Sequence, residues 1–152
     1  MAVLDRPKNQ TLQFTVIKLS TYLLLDGVCE EAMEFYHSCL GGELSVALVG
    51  DTPMKAMFPV EAHNRVINAR LTSTEISLSA SDWMHPIERP VSGNTICLYI
   101  SGGTATETRS LFEKLSYGAN VTDPLTEQPF GLYGALNDKF GVRWMFHSSV
   151  GD

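Results

Sequence analysis

Tyr22-Leu-Leu-Leu-Asp-Gly27, followed by a helical stretch that closes in Glu34-Phe-Tyr-His-Ser-Cys-Leu-Gly-Gly-Glu43, sets the pattern of this chain. Ile17, Leu19, Thr21, Leu23 and Leu25 alternate with Tyr22 and Leu24, which predicts a strand over 17–25 with apolar character on both faces. Asp26-Gly27 breaks it. Over 29–40, Ala32, Met33, Tyr36, Cys39 and Leu40 recur at helical spacing, with Phe35 beside them. Glu30, Glu31 and Glu34 occupy the first turns, where the helix dipole favours negative charge, and Gly41-Gly42 ends the helix. The same order returns past the middle. Thr95-Ile-Cys-Leu-Tyr-Ile100 reads as a strand, and a second helix closes in Ser110-Leu-Phe-Glu-Lys-Leu-Ser-Tyr-Gly-Ala119, introduced by a Thr104–Glu107 capping box. The two copies share pattern more than residues.

Working outward, Glu43–Val49 alternates and is expected to be a strand. The segment 50–64 is a loop, with an unusual apolar content in Met54, Met57 and Phe58. Val66–Thr72 and Glu75–Ser81 form a hairpin, in which Ile76, Leu78 and Ala80 alternate against Ser77, Ser79 and Ser81. Ser81–Gly93, with Trp83, His85, Pro86 and Pro90, is the candidate link between halves. After the second helix come a short strand near 119–122, a loop holding Pro124, Pro129 and Phe130, and a closing hairpin of Leu132–Asn137 and Val142–His147. The chain therefore reads as βαβββ twice. This is an α+β fold in which two modules, 17–82 and 93–148, make one domain over 17–152 and form a curved mixed β-sheet cleft, with the helices on the outer faces. Residues 1–16 read as a tail or an edge segment.

Composition narrows the function classes. The chain has 152 residues, of which 44% are hydrophobic, enough for a globular core. A formal charge of −6 argues against a nucleic-acid surface, which needs clustered Lys and Arg. No apolar run reaches the roughly eighteen residues that span a membrane, and Met1–Gln10 lacks an apolar signal core. Three cysteines, Cys29, Cys39 and Cys97, with no close pair, fit a reducing compartment, and a cytoplasmic protein is expected.

These words in this order resemble the vicinal-oxygen-chelate superfamily of glyoxalases, bleomycin-resistance proteins and extradiol dioxygenases, and within it the PhnB-like branch. The residues that carry the likeness are Asp26-Gly27, Cys29-Glu-Glu-Ala-Met-Glu-Phe-Tyr36, Leu40-Gly-Gly-Glu43, Ala69-Arg-Leu71, Ser81-Asp82, Pro124-Leu125, Phe130-Gly131 and Asp138-Lys-Phe-Gly-Val-Arg-Trp-Met145. The likeness runs over 18–148. Val28 departs from it, standing where that branch usually has Asn or another small polar residue, and the loop Met54–His63 has no counterpart. The resemblance implies a homodimer, with the cleft shared between modules of one or both chains and Ser81–Gly93 as the hinge of any strand exchange.

The resemblance also implies a divalent ion held by His and Glu side chains. Those positions fall near Thr21, near Ser79, at Asn94 or Thr95, and at Met145, none of them His, Glu, Asp or Cys. Neutral hydroxyls and a thioether do not replace carboxylates on such an ion. No metal site and no cofactor are therefore expected. The histidines do not replace the set. His37 reads as a solvated helix position, His63 and His85 lie in loops, and His147 shares a strand face with Met145.

Other chemistry is sparse. Cys29 sits at a helix start, but Glu30 and Glu31 oppose thiolate formation, so a packed thiol is expected. Cys39 and Cys97 read as core. Arg70 and Arg143 either pair on the surface or hold an anion. No catalytic residue is assigned. The expected pocket comprises Tyr22, Ser77, Ser79, Trp83, Tyr99, Phe130, Arg143, Met145 and His147, in which aromatic walls and a hydroxyl row meet a small organic ligand. The leading expectation is metal-independent binding of that ligand. The alternatives are a metal-dependent lyase, isomerase or dioxygenase with a displaced metal site, and a ligand-free interaction module.

Overall fold

The computed structural model describes residues 16–149. The expected tail therefore lies outside the described residues except for Val16, as do residues 150–152. The described residues form two four-stranded mixed sheets, each with one α-helix, and three short 3-10 helices at Val49–Asp51, Pro53–Met57 and Val60–Ala62. The first module holds β1 (Thr21–Leu25), α1 (Cys29–Leu40), β2 (Glu43–Leu48), β3 (Val66–Thr72) and β4 (Ser77–Asp82), in the sheet order β1-β4-β3-β2. The second holds β5 (Leu98–Ser101), α2 (Ala105–Leu115), β6 (Asn120–Gln128), β7 (Gly131–Asn137) and β8 (Arg143–Ser148), in the order β5-β8-β7-β6. In each module the first strand runs parallel to the last, and the other pairs are antiparallel. The doubled pattern of the sequence is thus a doubled topology.

Local sequence accounts for most of the boundaries. Helix α2 starts on the expected capping box: the Thr104 hydroxyl accepts from Glu107 N at 3.1 Å, and the Glu107 carboxylate accepts from Thr104 N at 2.8 Å. Helix α1 stops at Gly41-Gly42, both with positive φ. At Gly42 a Cβ would also lie 2.7 Å from the Thr72 carbonyl, so the chain can turn onto β3 only without a side chain there.

Four expectations are corrected, the first being the strand expected over 95–100, which is β5 and begins at Leu98. The strand expected over 17–25 begins at Thr21, because its partner in β4 spans only Leu78–Asp82; Ile17 and Leu19 are fully exposed ahead of it. The short strand near 119–122 is the nine-residue β6, which carries Pro124 inside it. Proline is tolerated because β6 is an edge strand whose register shifts on either side of Asp123. The serine row is not uniformly solvated: Ser77 is exposed, Ser79 half-buried and Ser81 buried.

The core is one cluster shared by both modules. Ala32, Met33 and Tyr36 on α1 pack with Ala69, Leu71, Leu78 and Ala80 of the first sheet, and the same cluster includes Phe112, Leu136, Trp144 and Phe146 of the second. Tyr36 makes the crossing. Its ring lies edge-on to Trp144 at 5.4 Å, and its hydroxyl donates to Asp138 Oδ2 at 2.5 Å. Trp144 Nε1 donates to the same oxygen at 2.9 Å, while Phe140 N and Val142 N donate to Oδ1 at 2.8 and 3.0 Å. Asp138 is buried, so all four donors depend on this one carboxylate. Burial, and then the Asp138 carboxylate, push the Tyr36 phenol far above its ordinary value and keep it a donor. No described helix is long and apolar enough to cross a membrane.

Removing the carboxylate leaves buried donors unmatched. Asp138→Ala is expected to lower the free energy of unfolding by about 3 kcal/mol or more, and Tyr36→Phe by about 1–2 kcal/mol. Urea denaturation followed by circular dichroism measures both. A loss below about 0.5 kcal/mol for Asp138→Ala, the range of an ordinary surface change, would contradict the assigned role.

Candidate functional site

The faces of the two sheets turned away from the helices carry the polar strand positions. Register places Tyr22, Ser79, Arg70 and Ser45 in one row across the first sheet. Tyr22, Arg70 and Ser45 are exposed, and Ser79 is half-buried. Among the described residues the Arg70 guanidinium has no carboxylate partner. An aromatic ring, two hydroxyls and a cation therefore stand side by side on a pleated surface. Ser77 is one pleat away, opposite Thr72.

On the second sheet, Tyr99 lies opposite Met145, and Ser101 lies opposite His147, which is opposite Tyr133. His147 Nε2 donates to the Phe130 carbonyl at 3.0 Å. The Phe130 ring sits 5.8 Å from the imidazole and 6.3 Å from Tyr133. Arg143 donates to Thr122 at 3.1 Å and pairs with Asp123 at 3.7 Å, so here the ion-pair reading of that arginine holds.

The nine residues expected in one pocket fall into separate groups. Tyr22 and Arg143, from different modules, both line a cavity of about 380 Å³ between β1 and the turn that precedes β8. Ser79 adjoins Tyr22 through the sheet register. Tyr99 lines a groove of about 1020 Å³ beside α2. Phe130, Met145 and His147 lie at the open face of the second sheet. Trp83 stands apart, in a pocket of about 540 Å³ at the end of the first sheet.

Sequence reading did not foresee the polar centre of that last pocket. Asp26 accepts from Arg65 at 3.1 Å and from Arg89 at 2.8 Å, and these bonds, the Arg65 one foremost, hold its carboxyl below the usual range. The only signals were an apolar loop and an Asp-Gly turn.

The register also tests the superfamily's metal positions. Thr21 pairs with Leu78 on the helix-covered side, so Tyr22 is the open-face residue of β1. The open-face residues are then Tyr22 and Ser79 in one module and Tyr99 and Met145 in the other, with Asn94 and Thr95 ahead of β5. A phenol, a hydroxyl and an amide bring no negative charge to a divalent ion, and a thioether is a soft donor, so these residues do not match the His and Glu set that the resemblance implies. Among the described residues no cluster of three or more His, Cys, Asp or Glu is placed to hold one.

Cys29 is fully buried at the start of α1, where its backbone N–H donates to Asp82 Oδ1 at 3.1 Å. Asp82 Oδ2 accepts from Val66 N at 2.8 Å, so this carboxylate ties α1 to β3. Burial, then Asp82 and Glu30, push the Cys29 thiol up to about 12. Cys39 is raised as well, chiefly by burial. His37 is exposed and donates to the Gly42 carbonyl at 3.1 Å.

The 3-demethylubiquinone-9 3-methyltransferase family model matches residues 17–146. Protein PA1353 from Pseudomonas aeruginosa is 30% identical and superposes with a TM-score of 0.73 over 88% of this chain and 98% of its own. The PhnB protein from Bacillus cereus is 27% identical, with a TM-score of 0.70 over 88% of this chain and 100% of its own. A glyoxalase/bleomycin resistance protein/dioxygenase from Nocardioides shares the fold, at 20% identity and a TM-score of 0.51 over 91% of this chain and 92% of its own. No curated protein matches the chain.

The cysteine environments have a direct readout. At pH 8 Cys29 is expected to resist iodoacetamide in the native protein and to alkylate only when urea unfolds it, as peptide mass spectrometry will show. Alkylation of native Cys29 at the rate of a free thiol would contradict its burial as an inert thiol.

Proposed function

The chain belongs to the 3-demethylubiquinone-9 3-methyltransferase family, PhnB-like and within the vicinal-oxygen-chelate superfamily, and on that premise we propose that it binds a small organic molecule on the open faces of its sheets without a metal ion. The observation that carries this reading is the row Tyr22–Ser79–Arg70–Ser45. A helix covers the other face of that sheet, so this face is the one left to a ligand. Tyr22 supplies an apolar wall, the serine hydroxyls donate or accept, and Arg70 offers a fork of donors to an anionic or carbonyl group. The donors at the superfamily's metal positions support metal independence, since none is an imidazole or a carboxylate.

The second part of the reading is a homodimer in a reducing compartment. Strands β1 and β5 are both sheet edges, and Tyr22, Leu24 and Tyr99 on them are each about half exposed, at 49%, 50% and 53%. A second copy laid along those edges would cover them and complete the walls around the row. Methyl transfer, the activity in the family's description, is not part of the proposal.

Protein purified without chelator is expected to contain substoichiometric Ni, Zn, Fe and Mn by elemental analysis. Compounds that raise its melting temperature in a metabolite screen are expected to bind equally well in EDTA. Tyr22→Ala and Ser79→Trp should weaken that binding by about tenfold or more. One equivalent of metal per chain, or loss of binding in EDTA, would overturn metal independence. Hits indifferent to both substitutions would move the ligand elsewhere.

A further inference from the structure

The apolar loop 50–64 packs against the end of the first sheet, and there it meets the segment that follows β4. Between them lies the pocket of about 540 Å³, within the range of small-molecule sites. Met57 and Phe58 come from the loop, and Trp83 and Met84 from the segment after β4. Both stretches are held by specific bonds. His63 Nε2 donates to the carbonyls of Lys55 and Phe58 at 3.1 and 3.2 Å. Trp83 N donates to the Leu25 carbonyl at 2.6 Å, and its indole Nε1 donates to the Glu88 carbonyl at 2.8 Å. His85 Nδ1 accepts from Ile87 N and Glu88 N at 3.3 and 3.0 Å, so the ring proton sits on Nε2. The pocket is a built structure.

Its charges are arranged asymmetrically. Arg65 is the inner cation: its Nη1 bonds both Asp26 and the Trp83 carbonyl, at 3.1 and 3.0 Å. Arg89 is the outer one, 78% exposed, and it touches Asp26 through Nη1 alone. Among the described residues its other nitrogens have no partner. Asp26 keeps Arg65 if Arg89 turns to a ligand, so a carboxylate can take the Arg89 fork without stranding a charge. Glu61 also lines the pocket, and its negative charge disfavours a second anionic group on the ligand. Two aromatic rings and two polarizable thioethers favour a flat, unsaturated body.

We propose that this pocket binds an aromatic monocarboxylate, with its ring between Phe58 and Trp83 and its carboxylate on Arg89. The site is separate from the open sheet faces and does not depend on what those faces bind.

The test is titration of the full chain with 2-naphthoate at neutral pH and low salt, followed by calorimetry and by thermal shift. One saturable site is expected. Arg89→Ala should weaken it by about tenfold or more, while Tyr22→Ala on the open face should leave it unchanged. Trp83→Leu, which keeps an apolar side chain, should weaken it by a similar factor. Two further probes, 2-naphthalenemethanol and naphthalene-2,6-dicarboxylate, should bind at least about tenfold more weakly than 2-naphthoate. The proposal is overturned if neither method detects saturable binding, if Arg89→Ala binds like the parent, if the alcohol binds as tightly as the carboxylate, or if Tyr22→Ala weakens binding as Arg89→Ala does.

Discussion

The carboxylate of Asp138 is the point on which the two halves of this molecule depend. It sits in the turn between β7 and β8 and receives one hydroxyl, one indole and two backbone N–H groups. Three of these donors are local and shape the turn. The fourth, Tyr36, comes from a helix 102 residues earlier in the chain. A buried carboxylate is costly to desolvate; the three local donors match both oxygens, and the Tyr36 hydroxyl adds a second bond to Oδ2 that exists only when the two modules are together. The aromatic group of Phe35, Tyr36, Phe140 and Trp144 surrounds this point and excludes water from it. Lys139 caps the same group, its ammonium 4.4 Å from the Phe35 ring centre.

Asp82 does a related job within the first module. Its two oxygens take the N–H groups of Cys29 and Val66 and so fix the start of α1 relative to β3. In each module a buried aspartate near the end of the strand order satisfies backbone donors that regular pairing leaves over. With both helices anchored on one side, the other faces of the sheets are free for Tyr22, Ser79 and Arg70 in one module, and for Tyr99, Met145 and His147 in the other.

How much of this could be read in advance varied with the range of the interaction. The helix over 29–40 and the strand over Val66–Thr72 were legible to the residue, because apolar spacing, acidic first turns and glycine stops act within a few positions. The capping box was legible for the same reason. The start of β1 was not, since Ile17 and Leu19 alternate correctly but meet no partner strand. The long β6 was not legible either, because Pro124 argues for a loop unless its strand is known to be an edge. Ser81 read as one of three equivalent serines, and only the packing around β4 distinguishes it from Ser77.

The sequence by itself determined the doubled βαβββ order, the family and the donor types at the superfamily's metal positions, all of which follow from residue identity and short-range spacing. Tertiary structure alone decided that Tyr36 and Asp138 join the modules, that Tyr22, Ser79 and Arg70 stand in one row, and that Asp26, Arg65 and Arg89 meet beneath Trp83. These are contacts between residues up to about a hundred positions apart. No local propensity encodes them, because they arise from strand register and from where the loops come to rest.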